Sequence, residues 1–96
     1  MRDLRGKVAV VTGAASGLGR ALSVQLAQVG CHLALVDTNE ASLRITAAQV
    51  RATGQSASLH QTDVSDRAAM EQLPPAILHE HGGVHLLINN WGFRRS

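Results

Sequence analysis

The sequence predicts an α/β protein built on an open, doubly wound parallel sheet. Short unbroken apolar runs alternate along the chain with segments in which apolar residues recur every three or four positions. The first pattern is typical of strands covered on both faces, and the second of helices with one buried face. A strand followed by a helix occurs three times before a last strand. Because crossovers between parallel strands are right-handed, this order favours an open sheet over hairpins.

The predicted strands differ in how far they should be buried. Residues 8–11 and 33–36 are unbroken apolar runs, which predict strands in the interior of the sheet. Residues 56–61 alternate apolar and polar side chains, so we expect a half-covered edge strand there. Residues 84–88 are apolar again and predict a fourth strand whose composition suits the interior.

Two helices are predicted with apolar faces. The first spans residues 16–29 and ends at Gly30, and the second begins at residues 38–40 and stops at residues 53–54. The face predicted for the first helix consists of Leu18, Ala21, Leu22, Leu26 and Val29. The face predicted for the second helix consists of Ala41, Leu43, Ile45, Ala48 and Val50.

The third predicted helix begins at Asp66 and contains two prolines. Pro74 and Pro75 lack the backbone N–H that a helix interior needs, which costs about 3 kcal/mol or more. We therefore expect a break near Leu73 and a second short helix that ends at His81.

The composition excludes several classes of protein. Of 96 residues, 45% are hydrophobic and 17% are charged, so the chain is not a disordered segment. No apolar run approaches the ~18 residues that cross a bilayer. The net charge of +2 comes from Arg94 and Arg95, and a neutral body argues against a nucleic-acid interface. We interpret the single cysteine, Cys31, as a buried structural thiol of a cytoplasmic protein.

The last six residues differ from the rest of the chain. Trp91 and Phe93 are the only aromatic residues, and both lie next to the two arginines that carry the excess charge. We therefore expect residues 1–90 to form one partial domain and residues 91–96 to form a divergent tail. The abrupt change in composition favours a premature end, such as a frameshift, an alternative splice form or a fragment.

The histidines raise the question of a metal site. His79, His81 and His85 are close in sequence, but Gly82 and Gly83 interrupt any helix between them. No carboxylate or thiol completes a ligand set at this spacing. We expect solvated histidines and no metal.

The segment at residues 12–19, Thr-Gly-Ala-Ala-Ser-Gly-Leu-Gly, joins the first strand to the first helix. Amides at the start of a helix have no partner within the helix, and the helix dipole makes that end partly positive. A diphosphate can satisfy both when no Cβ blocks its approach. The candidate phosphate-binding residues are Gly13, Ser16, Gly17, Leu18 and Gly19.

Each glycine of this segment has its own expected role. Gly13 makes the turn, Gly17 lets a phosphate approach the backbone, and Gly19 lets the helix pack closely. Ser16 adds a hydroxyl donor, and a purely structural turn is the alternative interpretation. A nucleoside-triphosphatase loop is disfavoured because Arg20 stands where such loops require lysine.

The spacing Gly-x3-Gly-x-Gly at Gly13, Gly17 and Gly19 resembles the signature of the classical short-chain dehydrogenase/reductase family. Further positions that match the family, in chain order, are Asp37, Asp63, Val64, Asn89, Asn90 and Gly92. The resemblance covers residues 4–90 and therefore only the family's N-terminal, cofactor-binding part. It implies a Rossmann-like sheet with strand order 3-2-1-4, truncated after the fourth strand, in an NAD(P)-dependent oxidoreductase of alcohols and ketones.

The resemblance also implies how the cofactor is held. Asp37 would accept hydrogen bonds from the adenosine ribose and repel a 2′-phosphate, which favours NAD over NADP. Asp63 would reach the exocyclic amine of the adenine, Val64 would flank its ring, and Asn90 would offer its backbone to the ribose. The alternatives are that Asp37 caps the turn after it, and that Asp63 caps the helix at Asp66.

The family's catalysis requires a serine, a tyrosine and a lysine four residues after that tyrosine. The sequence has no tyrosine, and its single lysine, Lys7, opens the first strand, so we predict no catalytic residue. At the position of Trp91 the family has a small residue, which is a departure from the pattern.

Two functions from different classes remain open. The first is the NAD(H)-binding part of a short-chain dehydrogenase/reductase, inactive on its own. The alternative is a non-enzymatic interaction module that pairs, with itself or with a partner, through the exposed fourth strand at residues 84–88.

Overall fold

The computed structural model of the chain describes residues 3–90, in which four strands alternate with three helices. The strands are β1 (Val8–Thr12), β2 (His32–Asp37), β3 (Ala57–Gln61) and β4 (Leu86–Asn89), and the helices are α1 (Gly17–Gln28), α2 (Glu40–Arg51) and α3 (Arg67–His81). All pairs are parallel, in the order β3-β2-β1-β4. The predicted Rossmann-like sheet is confirmed, whereas the predicted tail at residues 91–96 lies outside the described residues.

The two faces of the sheet carry separate apolar cores. The core under α1 and α2 consists of Ala9, Val11, Ala14, Ala27, Cys31, Leu33, Leu35, Leu43, Ala47 and Val50. The core under α3 consists of Val10, Ala34, Val36, Leu73 and Ile77. Because alternate residues of β1 and β2 enter different cores, both strands are buried on both faces, as their unbroken apolar runs predict.

The two outer strands are less covered than the central pair. β3 pairs only with β2, so the predicted edge strand is confirmed. β4 pairs only with β1 and leaves Leu87 67% exposed. It begins later than predicted because His85 is engaged at the start of β1: its N–H donates to the Val8 carbonyl, and its Nδ1 accepts from the Val8 N–H.

The buried face of α1 differs from the predicted one. Leu18 is 54% exposed and Val29 is 52% exposed, while the buried residues are Gly19, Ser23 and Ala27. These three small residues lie four positions apart and let the helix approach the sheet closely. Of the bulky residues predicted on this face, Leu22 and Leu26 are half-buried and Leu26 packs against the core, but the fully buried positions are occupied by small residues.

The buried face of α2 also departs in part from the prediction. Leu43 and Val50 are fully buried as expected, but Ile45 is 50% exposed. Thr46 and Ala47 are buried in its place. A polar threonine can occupy this position because its hydroxyl donates to a backbone carbonyl.

The predicted break in the third helix was wrong, since α3 is continuous from Arg67 to His81 with both prolines inside it. Leu73 and Ile77 lie one turn apart and are both buried against the sheet, which holds the helix together across the prolines. Pro74 and Pro75 are exposed, so the carbonyls that lose their donors lie on the solvent side, where water can solvate them. Packing therefore outweighs the local cost of the two prolines.

Replacement of Pro75 by alanine should stabilise the chain. Pro75→Ala restores an N–H for the Glu71 carbonyl and relieves the restriction that Pro75 imposes on Pro74. We expect the free energy of unfolding to rise by about 1–2 kcal/mol, because the lost proline rigidity of the unfolded chain offsets part of the gain. Urea unfolding measures the change, with Gln72→Ala as the control at an exposed site of the same helix. An unchanged or lower value for Pro75→Ala would contradict this account.

Candidate functional site

Polar groups from three strand ends meet at the carboxyl edge of the sheet. β1 leads into a loop at residues 13–16, and that loop leads directly into α1. Asp37 ends the neighbouring strand β2, and Asn90 follows β4 on the other side of β1. Ligands of open parallel sheets bind at this edge, where the connections on either side run to opposite faces.

The loop is closed on itself by backbone and serine contacts. Gly13 has a φ of +67°, and a Cβ there would lie 2.9 Å from Nδ2 of Asn90. The Ser16 hydroxyl donates to the Gly13 carbonyl at 2.7 Å and accepts from the Gly19 N–H at 3.2 Å. Ser16 is therefore the N-cap of α1, and its hydroxyl donates to the loop itself.

Two N–H groups at the start of α1 are open. Within residues 3–90, the amides of Gly17 and Leu18 have no hydrogen-bond acceptor, and both residues are exposed. A Cβ on Gly17 would meet no atom within 4 Å, so this side of the helix start is unobstructed. The first turn of α1 carries no acidic residue that would neutralise the helix dipole. This arrangement suits an anion.

Gly19 serves a different purpose from Gly17. A Cβ on Gly19 would overlap the carbonyl oxygen of Gly13 and lie 2.7 Å from its carbonyl carbon. The first turn of α1 can therefore approach the loop only with glycine at this position. The expected role of Gly19 in close packing agrees with this geometry, although the contact is with the loop itself.

Asp37 is buried, at 3% exposure, beside the loop. Its Oδ2 accepts from the Ala15 N–H at 3.0 Å, and its Oδ1 accepts from the Thr38 N–H at 2.7 Å and the Asn39 N–H at 3.4 Å. The alternative role, in which Asp37 caps the turn after β2, is thus present in the structure, while the N-cap of α2 is Asn39. The Thr38 hydroxyl also donates to Oδ1 at 3.4 Å, so Oδ2 is the carboxylate oxygen that keeps a lone pair for a ligand.

Asp63 and Val64 lie in the loop between β3 and α3, where Asp63 is exposed. Asp63 Oδ1 accepts from the Ser65 N–H at 2.9 Å and from its hydroxyl at 2.7 Å, and these bonds hold the pKa of Asp63 below its usual value. The N-cap of α3 is Asp66, so Asp63 closes the preceding turn and does not cap the helix. Val64 is half-buried in a groove of about 340 Å³ whose other lining residues are Thr12, Met70, Leu87 and Asn89.

Asn90 is buried, at 4% exposure, and ties β4 to the loop. Its Nδ2 donates to the Ser16 hydroxyl at 3.0 Å and to the Gly13 carbonyl at 3.3 Å. Its backbone N–H donates to Oγ1 of Thr12 at 3.0 Å. In the described part of the chain, its Oδ1 is buried without a hydrogen-bond donor. A buried acceptor of this kind is costly unless a ligand supplies the donor.

Sequence reasoning missed the hydroxyl of Thr12. Its Oγ1 lies 3.0 Å from Oδ1 of Asn89, so it joins the ends of β1 and β4 in addition to accepting from Asn90. The available signal was a polar residue that closes an otherwise apolar strand.

Sequence reasoning also missed a polar bridge between the loop and α2. Arg20 Nε donates to Oγ1 of Thr46 at 3.0 Å, and Arg20 Nη2 donates to the carbonyls of Ala15 at 3.3 Å and Ser42 at 3.2 Å. The Thr46 hydroxyl donates to the Ala14 carbonyl at 3.0 Å. The only sequence signal was a threonine on a helix face of apolar residues.

His79 and His85 are exposed, as expected of solvated histidines, whereas His81 and His60 are half-buried. His81 and His60 each place Nε2 at 2.8 Å from the Ser58 hydroxyl, and burial lowers the pKa of both rings. His85, although exposed, accepts from the Val8 N–H. Among residues 3–90, no group of three or more potential ligands is placed to hold a metal ion.

A family model described as short chain dehydrogenase matches residues 7–96. The chain belongs to this family. Among curated relatives, 2,3-dihydro-2,3-dihydroxybenzoate dehydrogenase of Bacillus subtilis (strain 168) is 36% identical over 94 residues, which cover 98% of this chain and 36% of that protein. The suspected membership of the short-chain dehydrogenase/reductase family, an oxidoreductase family, is thereby confirmed.

Solved structures of family members share the fold. A short-chain dehydrogenase/reductase from Burkholderia phymatum, in complex with NAD, is 44% identical with a TM-score of 0.85, over 91% of this chain and 31% of that one. A metagenomic short-chain oxidoreductase, in complex with NADP, is 32% identical with a TM-score of 0.83, over 90% of this chain and 39% of that one. The chain thus spans 31–39% of the length of these dehydrogenases. None of the helices within residues 3–90 meets the length and apolarity that crossing a membrane requires.

The two glycines at the start of α1 should differ in how much stability the same substitution removes. We expect Gly19→Ala to lower the free energy of unfolding by about 2–3 kcal/mol, because its Cβ overlaps backbone that cannot move aside. Gly17→Ala should change it by less than about 1 kcal/mol, because its Cβ enters open space. Urea unfolding of both variants makes the comparison. Equal destabilisation by the two would show that the close contact at Gly19 does not decide the packing.

Proposed function

We propose that this chain binds NAD(H) as the N-terminal cofactor-binding part of a short-chain dehydrogenase/reductase-type oxidoreductase. The observation that carries the proposal is that the N–H groups of Gly17 and Leu18 have no acceptor in the described chain, and that Gly17 has no Cβ to block the approach to them. A diphosphate would accept from both N–H groups and meet the positive end of the α1 dipole. Gly13 and Gly19 would contribute by allowing the backbone of the loop to pack closely, and Ser16 by its hydrogen bonds within the loop.

The polar groups around the loop fit the riboses of a dinucleotide. A ribose hydroxyl is a donor, and the buried Oδ1 of Asn90 is an acceptor in need of one. Oδ2 of Asp37 keeps a lone pair for a hydroxyl of the adenosine ribose while it accepts from the Ala15 N–H. Val64 offers an apolar wall for the adenine, and Asp63 would accept from its exocyclic amine.

We infer a preference for NAD over NADP. The carboxylate of Asp37 would lie against a 2′-phosphate, and like charges at a buried site repel strongly. Ser16, which precedes the second glycine, carries no positive charge to offset that repulsion. Solved relatives include one in complex with NAD and one in complex with NADP, so the preference rests on Asp37.

We propose no catalytic residue on this chain. Bound NAD would supply the hydride-accepting nicotinamide, but the sequence lacks the tyrosine that the family uses as its general acid/base. Binding without turnover is therefore the activity expected of residues 1–90 as a partial domain. A cytoplasmic location remains a prediction.

Calorimetric titration of the purified chain with NAD and with NADP tests the proposal. We expect NAD to bind and to raise the melting temperature, and NADP to bind at least about tenfold more weakly. Gly17→Ala should weaken NAD binding by about tenfold or more while the fold is kept, because its Cβ occupies the approach to the amides. Ile45→Ala, at an exposed site on α2, is the control. No binding of NAD by the parent chain would refute the assignment, and equal binding of NADP would refute the preference.

A second candidate function rests on the exposed apolar surface of β4. Leu87 and Val84, with Leu73, Ile77 and other residues of α3, line an apolar groove of about 300 Å³ along this edge of the sheet. We propose that a second copy of the chain pairs there, because a strand at the edge of the described sheet with an apolar flank favours strand addition.

Sedimentation velocity over a range of concentrations tests this pairing. We expect a concentration-dependent dimer that Leu87→Glu abolishes, because the carboxylate would be desolvated in the interface. Ile45→Glu, at 50% exposure on the opposite side of the sheet, should leave the dimer intact. A monomer at all concentrations would exclude the second candidate.

A further inference from the structure

The guanidinium of Arg20 bridges the first turn of α1 and the helix α2. It donates to the carbonyl of Ala15 in the loop, and also to the carbonyl of Ser42 and the hydroxyl of Thr46 in α2. The ion pairs described within residues 3–90 join Arg5 to Asp3 and Arg44 to Glu40, and do not involve Arg20. The Arg20 side chain is thus engaged with neutral acceptors only.

Thr46 is bonded both to Arg20 and to the loop. It is fully buried, at 0% exposure, and its hydroxyl accepts from Arg20 Nε and donates to the Ala14 carbonyl. Two successive carbonyls of the loop, those of Ala14 and Ala15, are therefore held by side chains. Neither contact is part of the glycine signature.

The N–H groups of the same two residues also have hydrogen-bond acceptors. The Ala14 N–H donates to the Val36 carbonyl, and the Ala15 N–H donates to Asp37. Because the N–H and the carbonyl of both residues are engaged, any other conformation of the loop would break these hydrogen bonds. The next N–H groups without an acceptor in the described chain are those of Gly17 and Leu18.

We propose that Arg20, acting through Thr46, is a positioning residue that holds the loop in the conformation in which the amides of Gly17 and Leu18 face an incoming diphosphate. The consequence for nucleotide affinity rests on the proposed function, whereas the ordering of the loop does not. These contacts require a guanidinium, because Nε donates to Thr46 while Nη2 donates to two carbonyls. A lysine has a single nitrogen and cannot make the same set of contacts.

Nucleotide titrations of the full chain test the effect on binding. We expect Arg20→Gln and Thr46→Val each to weaken NAD binding by about tenfold, and Thr46→Ser to restore it because the hydroxyl is kept. Adenosine, which has no diphosphate, should bind the variants and the parent chain equally. Arg44→Gln removes an exposed arginine of α2 and should leave both affinities unchanged.

Amide hydrogen exchange in the nucleotide-free chain tests the loop itself. We expect Arg20→Gln and Thr46→Val to speed exchange at Ala14 and Ala15 at least about tenfold, while exchange in the centre of β2 stays the same. Unchanged exchange at Ala14 and Ala15 would overturn the inference, as would equal loss of NAD and adenosine binding. If the parent chain does not bind NAD, the proposed function fails, and the exchange rates still decide the role of Arg20.

Discussion

The backbone of α1 lies directly against the loop that precedes it, in a contact that only glycine permits. The absent Cβ of Gly19 lets the helix start beside the Gly13 carbonyl, and the Ser16 side chain closes the gap by bonding to both residues. This close start leaves the amides of Gly17 and Leu18 on the exposed side of the turn. The open amides on which the proposed nucleotide site depends thus follow from a packing constraint.

The buried side chains at the strand ends form hydrogen bonds with the backbone of the loop, and they do so in the absence of any ligand. A loop enclosed by a sheet and two helices must find a partner for each polar backbone group. Asp37, from the strand on one side, takes an amide, and Asn90, after the strand on the other side, donates to a carbonyl. Under the proposed function the same side chains would also contact the riboses of a dinucleotide, so a structural role for them does not argue against a ligand-binding one.

The strand β4 links the two candidate functions. Its carboxyl end leads to Asn90, which belongs to the proposed nucleotide site, whereas its flank exposes Leu87 beside an apolar groove. A diphosphate at the start of α1 and a second strand beside β4 would contact different atoms. Leu87, however, lines both the groove beside Val64 and the apolar groove, so an adenine and a second copy would meet at this residue, and binding measurements have to separate the two proposals.

The strands, the parallel order and the glycine loop could be predicted from the sequence because their causes are local: apolar runs, helix starts and the steric freedom of glycine. The course of α3 through Pro74 and Pro75 could not, because the burial of Leu73 and Ile77 on a distant part of the sheet outweighs the lost hydrogen bonds. The bridge from Arg20 to α2 joins side chains far apart in the chain, so no spacing rule reveals it. The sequence by itself determined which backbone can approach an anion; the tertiary structure alone decided what holds that backbone in place, because those contacts form only when the helices pack.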